Sequence, residues 1–285
     1  MTESVIEARG ITMRYGTTDV LKGIDLTVTT GEVMCLLGPN GAGKSTTIEI
    51  LEGFRNRSAG EVRVLGADPA DADGVWRNRI GVVQQSWRDH ATWKVADLIR
   101  HFARYYTNPY SADELLDLVG LSAKAGQRLA TLSGGQRRRL DVALGIIGRP
   151  ELLFLDEPTA GFDPQARRTF HDLIATMRNN TGMSVVLTTH DMAEAERLAD
   201  TVAILIAGRI RVCGALDELT HAVTEKSLVR WTAPDGTRCE ENTAEPEKLV
   251  YELTRTFDGP IPGLQVIRPT LEDTYLALVR EQETT

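Results

Sequence analysis

The sequence predicts an α/β fold: a core of strands and helices with an inserted helical subdomain, followed by a small α+β domain. Three observations carry this prediction. An apolar run at Glu32–Leu37 leads into Gly38-Pro39-Asn40-Gly41-Ala42-Gly43-Lys44-Ser45-Thr46, a G-x-x-x-x-G-K-S loop that requires a strand, a turn and a helix in that order. From about Val95 to Gly148 the apolar spacing becomes helical. Short apolar runs then alternate with helical patterns again from Leu152 to Ile206. The expected domains are 1–216, with the helical subdomain at about 86–148, and 217–285.

The elements follow in order. Val5 to Val28 reads as short strands around a turn at Tyr15-Gly16-Thr17-Thr18. The loop helix continues through Thr46–Leu51, and Glu61–Leu65 and Ile80–Val83 read as strands. Val95-Ala96-Leu98-Ile99-Phe102 has helical spacing. Asp113–Val119 is a helix with Ser111 as N-cap, and Gln136–Ile147 is another. Leu152–Leu155 is a buried strand, Pro164–Asn179 a helix, Ser184–Thr188 a strand and Met192–Ala199 a helix. Thr201–Ile206 and Arg209–Cys213 are strands turning at Ala207-Gly208. In the last domain, Leu228–Thr232 and Thr237–Glu240 form a hairpin around Pro234-Asp235-Gly236. The helix Glu247–Phe257, the strand Leu264–Ile267 and the helix Leu271–Arg280 complete it. So few residues make a marginal core, so this domain is expected to pack on something larger.

Bulk properties exclude several classes. With 285 residues and ordinary apolar and charged fractions, the chain reads as globular. A net charge of −8 disfavours nucleic acid and anionic lipid as generic partners. Arg137-Arg138-Arg139 is read as a solvated helix face. The cysteines, Cys35, Cys213 and Cys239, have no metal-ligand spacing and suit a reducing compartment, with Cys35 a small core residue. No run approaches the roughly 20 apolar residues of a spanning helix, and the N-terminus lacks a leader pattern. The chain is therefore expected to stay inside the cell and to leave any membrane crossing to another chain.

The chemistry concentrates in four places. In the glycine loop, Lys44 places a point charge on β- and γ-phosphates and Ser45 offers a hydroxyl to Mg²⁺. Leu152–Leu155 ends in Asp156-Glu157; Asp156 fits a Mg²⁺ role and Glu157 a general base for water. Leu132-Ser133-Gly134-Gly135-Gln136 opens a helix, a second potential anion site. His190 follows Thr188-Thr189 at a strand end.

This set, in this order, resembles the nucleotide-binding subunit of ABC transporters, over about the first three quarters of the chain. The resemblance implies a P-loop NTPase core of ABC ATPase type, with ATP and Mg²⁺ bound. It implies that Ser133, Gly134, Gly135 and Gln136 complete the site of an opposite subunit, in a homodimer or a heterodimer with a related ATPase subunit. Gln85 resembles the glutamine that contacts Mg²⁺ and senses the membrane partner; Gln84 stands where proline is frequent. His190 resembles the switch histidine at the γ-phosphate, so Glu157, His190 and Lys44 form the expected catalytic set. Asp163, in Ala160-Gly161-Phe162-Asp163, resembles the aspartate that communicates across the dimer. Tyr15 resembles the aromatic that stacks on adenine, with core packing as its alternative. The segment Trp87-Arg88-Asp89-His90 with Trp93 either faces the membrane subunit or packs inside the helical subdomain.

Arg268-Pro269-Thr270-Leu271-Glu272-Asp273-Thr274-Tyr275-Leu276 resembles the tail of daunorubicin-resistance-type exporter ATPases, as do Leu51-Glu52-Gly53-Phe54 and Gly60–Gly66. The implied function is ATP hydrolysis that powers export of a drug, lipid, polysaccharide or similar cargo through a separate transmembrane permease. The implied location is cytoplasmic, peripheral on the inner face of the membrane. An importer ATPase and a non-transport ABC ATPase of DNA repair or translation are the alternatives. The second class typically carries coiled coils, zinc modules or two cassettes, and none is visible in the sequence.

Overall fold

The computed structural model describes residues 3–84, 90–216, 218–219, 226–257, 259–268 and 270–283. The chain divides into two compact units, Met1–Cys213 and Gly214–Thr285.

The first unit is built on two sheets. β1 (Ser4–Tyr15) and β2 (Thr18–Thr29) pair antiparallel, and β4 (Ala59–Val64) adds to the other side of β1, giving the order β2-β1-β4. The strands expected to be short are instead 12 residues each. Turn residues at Gly16-Thr17 mark where the hairpin reverses, but nothing in the local pattern caps the strands earlier. The second sheet has the order β5-β6-β7-β3-β8-β9, comprising β5 (Ile80–Val83), β6 (Leu152–Asp156), β7 (Ser184–Thr189), β3 (Val33–Leu37), β8 (Thr201–Ile206) and β9 (Arg209–Ala215). β5, β6, β7, β3 and β8 run parallel. Every residue of β3 and β7 is buried, which is why β3 is a continuous apolar run and the centre of β7, Val185–Leu187, does not alternate with polar residues.

Parallel strands need crossovers, and those crossovers are the helices. α1 (Lys44–Leu51) follows β3, α6 (Pro164–Thr181) follows β6 and α7 (Met192–Leu198) follows β7. The short α2 (Gly74–Arg77), which has no sequence-level counterpart in the expected elements, is capped by Asp73 and seats the buried Trp76. Between β5 and β6 lie α3 (Val95–Ala103), α4 (Ala112–Leu118) and α5 (Gly134–Ile146). Ser111 caps α4 in a reciprocal box with Glu114.

The second unit contains a three-stranded antiparallel sheet, β11-β10-β12, made of β10 (Ser227–Thr232), β11 (Arg238–Thr243) and β12 (Gln265–Ile267). It also contains α8 (Pro246–Thr256) and α9 (Leu271–Glu283). Its buried apolar residues include Leu219, Val229 and Leu271, with the Thr274 hydroxyl donating to the Leu219 carbonyl at 3.5 Å. Among the described residues, no helix is long and apolar enough to cross a membrane.

Candidate functional site

Register brings the first set of residues together. Leu36 and Leu37 of β3 lie opposite Thr188 and Thr189 of β7, and Asp156 of β6 lies opposite Thr188. Three adjacent parallel strands thus release their chains at one edge of the sheet, where α/β folds place ligands. The loop from β3 turns at once over β8. A Cβ on Gly38 would stand 2.3 Å from the Leu205 carbonyl oxygen, so only glycine allows that approach. Gly43, the N-cap of α1, has φ 109° and would drive a Cβ to 2.5 Å from Leu21 Cδ2. The first-turn N–H groups of α1 therefore open into the loop Gly38–Gly43, the arrangement that binds phosphate.

Lys44 is buried, 5% exposed, inside this loop, and its Nζ donates to the Gly38 carbonyl at 2.9 Å and to that of Pro39 at 3.3 Å. The same Nζ is 3.3 Å from Glu157 Oε1, and that oxygen is 3.4 Å from His190 Nδ1. His190 is the open side of the site, 56% exposed. The Ser45 hydroxyl donates to Asp156 Oδ2 at 3.0 Å, while the Thr188 hydroxyl donates to Asp156 Oδ1. Both carboxylate oxygens of Asp156 are thus oriented, one by a side chain of α1 and the other by a side chain of the neighbouring strand β7. Glu157 takes φ 43°, unusual for a residue with a Cβ, and its N–H is held by Thr188 through the hydroxyl at 3.0 Å and the carbonyl at 3.2 Å.

A second group gathers elsewhere on the same unit. Ser133, Gly134, Gly135 and Gln136 line a cleft of about 450 Å³ with Gly161, Phe162 and Asp163. Ser133 caps α5: its hydroxyl accepts from the Gln136 N–H at 3.3 Å, and Gln136 Oε1 accepts from the Ser133 N–H at 3.0 Å. Asp163 caps α6, with Oδ1 accepting from the Gln165 and Ala166 N–H groups at 3.0 and 2.9 Å. Tyr15 stands at the end of β1, 39% exposed, with the Arg55 guanidinium 5.1 Å from its ring centre; it is not a core residue. Gln85, Trp87, Arg88 and Asp89 lie outside the described residues. His90 and Trp93 are half-buried and stack against each other at 5.2 Å, and Trp93 lies 5.1 Å from His101 of α3.

Comparison with known proteins bears on this arrangement. Residues 21–160 match the family model described as ABC transporter. The Nod factor export ATP-binding protein I of Ralstonia nicotianae is 35% identical over 301 residues, spanning 96% of this chain and 93% of that protein. The chain belongs to the ABC transporter ATP-binding family. As a member it is an ATP-binding protein and an ABC-type ATPase. Its relatives include the Nod factor export ATP-binding protein I of Rhizobium johnstonii, 38% identical over 98% of this chain and 96% of that one. The linearmycin resistance ATP-binding protein of Bacillus subtilis is 32% identical over 80% and 75%. A solved ATP-binding subunit of an ABC transporter superposes with TM-score 0.68 at 26% identity, covering 76% of this chain and 92% of that one. An ATP-binding cassette in its ADP conformation, 22% identical, shares the fold with TM-score 0.68.

The structure of this ABC ATPase corrects a further sequence expectation. Arg137-Arg138-Arg139 is not a solvated face: Arg138 is buried at 6% exposure. Its guanidinium donates to the carbonyls of Pro158 (2.8 Å), Asp156 (3.3 Å) and Gln84. It thereby ties α5 to the end of β6 and to the segment after β5. Burial depresses its pKa, opposed by Asp141, Asp156 and Glu194. Three consecutive helical residues span about 200° of the helix circumference, so spacing alone does not say which of them turns inward. Thr188 is a partner of Asp156 that the sequence does not reveal; its position opposite Asp156 is set by strand order, which adjacent sequence does not encode.

Proposed function

We propose that this chain is the ATP-binding and hydrolysing subunit of a multi-subunit ABC exporter, powering a separate membrane subunit. The observation that carries the reading is the convergence of Lys44, Ser45, Asp156, Glu157 and His190 at the ends of three adjacent parallel strands. Export is supported by relatives whose names specify Nod factor export and linearmycin resistance.

The site performs in-line attack of water on the γ-phosphate, which breaks its bond to the β–γ bridging oxygen and releases ADP and phosphate. Backbone N–H groups of Asn40–Thr46 and the Lys44 ammonium hold the phosphates and stabilise the charge that develops on them. Glu157, pinned by Thr188, orients the water and accepts its proton. His190 donates to the γ-phosphate from the open side. Ser45 and Asp156 present hard oxygen donors to one point and would hold Mg²⁺ there. When bound, Mg²⁺ neutralises phosphate charge. Tyr15 offers a ring face to adenine.

Ser133–Gln136 and Asp163 act on the nucleotide of a second ATPase subunit, in a homodimer or heterodimer. A groove lined by Phe54, Val82, Gln84, Phe102 and Tyr106, with Phe54 65% exposed, receives the membrane subunit, together with Gln85. That docking holds the chain peripherally on the cytoplasmic face.

Glu157→Gln tests the reading. It keeps ATP binding, lowers turnover by roughly 10²–10⁴ and accumulates an ATP-bound dimer on size exclusion. Near-normal hydrolysis by the purified variant removes Glu157 from the base role and the proposal with it.

A further inference from the structure

Three polar residues of α6 lie at successive turns: Asp163 at its N-cap, Arg167 and His171. The first faces the cleft shared with Ser133–Gln136. The other two reach α7. An Arg167 Nη1–H donates to Asp191 Oδ2. His171 Nε2 lies 3.3 Å from Glu194 Oε1, which also accepts from the Thr159 hydroxyl at 2.8 Å. Asp191 follows His190 directly, caps α7 by accepting from the Glu194 N–H at 3.3 Å, and is itself held by Thr189 Oγ1 accepting from its N–H at 3.0 Å. Thr159 lies two residues after Glu157.

The two contacts differ in kind. His171 and Glu194 are 4% and 1% exposed, so that pair is part of the packed interior and anchors α6 against α7. Arg167 and Asp191 are 34% and 25% exposed. A partly solvated pair adds little to stability, yet it fixes the direction of the residue next to the open His190. Asp191 has no other charged partner among the ion pairs of the described residues. Its carboxylate is therefore aimed from one side by α6 and from the other by the cap it makes on α7.

We propose that Arg167 is a positioning residue for ATP hydrolysis: through Asp191 it sets His190, and so links the placement of His190 to the helix that begins at Asp163. The inference rests on the functional reading of His190 given above. Nucleotide is bound by the glycine loop, which Arg167 does not touch, so its effect falls on turnover and not on affinity. A residue out of place by about 1 Å costs up to roughly a hundredfold in rate.

The test uses the full chain, with steady-state ATP turnover and thermal unfolding measured on each variant. Arg167→Gln lowers kcat by about ten- to a hundredfold, leaves KM for ATP within about twofold, and leaves the unfolding temperature close to that of the parent. Arg167→Lys restores part of the loss. Asp191→Asn, which preserves the helix cap while removing the charge, shows the same kcat loss, and the double variant is no worse than either single one. Additive losses, an unchanged kcat, or a loss matched by lower thermal stability or raised KM overturn the proposal. His190→Ala separates the two levels. If it leaves kcat intact, the reading of the site has failed; if it lowers kcat while Arg167→Gln does not, only the link through Arg167 has failed.

Discussion

Glu157 holds an uncommon backbone conformation because Thr188 binds its N–H from two atoms, and the same threonine orients Asp156. One β7 hydroxyl thus donates to the Asp156 carboxylate and accepts from the Glu157 backbone N–H, which fixes where both acids leave the strand. A third carboxylate lies close by. Glu52, at the end of α1, is 6% exposed, and burial pushes its pKa up to about 8, with Asp156 and Glu49 adding to the shift. The folded chain therefore holds this proton through a window in which the unfolded chain, with a carboxyl near about 4.3, has lost it. The stabilisation is complete below the unfolded value and is lost as pH rises through the folded one. Glu52→Gln keeps the shape and removes the ionisation. Its unfolding temperature should exceed the parent's by more at pH 9 than at pH 5. Parallel profiles across that range, read by calorimetry, rule out Glu52 as the source of the slope.

At the scale of elements, the parts dictated by local chemistry were legible in the sequence and those dictated by strand order were not. The strand at Ile80–Val83 and the Ser111 cap of α4 follow from apolar runs and a capping residue, and both stand where the residues place them. The loop before α1 is forced by glycines that sit against Leu205 and Leu21. By contrast, the pairing of Asp156 with Thr188 depends on β6 and β7 being neighbours, with a whole helix between them in sequence. Arg138 and the α6–α7 contacts are hidden for the same reason. Asp163 shows a further difficulty, since one side chain carries a local and a proposed distant role. It caps α6 with two N–H groups, so Asp163→Ala costs about 1 kcal/mol of stability whatever else it does. Asp163→Asn keeps a competent cap. Calorimetry should find the Asn variant near the parent and the Ala variant lower, while ATP turnover falls in both. Full turnover in Asp163→Asn confines this residue to capping.

Across the whole molecule, the charge is unevenly divided. From Gly214 onward acidic residues outnumber basic ones two to one, so nearly all of the net charge of −8 belongs to the second unit. That unit contains none of the residues assigned to nucleotide chemistry, and we propose for it a role in dimerisation or docking. The first unit contains the two sets of residues proposed to act on nucleotide: Lys44, Asp156, Glu157 and His190 in one place, Ser133–Gln136 with Asp163 in a separate cleft. In the proposed dimer, two such chains packed head to tail would turn those half-sites into two complete ones. Complementation tests this directly. Ser133→Arg puts a bulky cation where the partner's γ-phosphate is expected, and Lys44→Ala removes the ammonium that holds it. Each homodimer then has two damaged sites. A mixed dimer of the two variants gathers both lesions into one site and leaves the other whole. Turnover of the mixture should exceed that of either variant alone and rise with the fraction of mixed dimers. Ser133 also caps α5, so Ser133→Arg must first be shown by calorimetry to remain folded. An ATP-bound crystal structure of Glu157→Gln supplies the independent reading. Ser133 there should contact the nucleotide held by the other chain; contact with its own chain's nucleotide would reject the composite site.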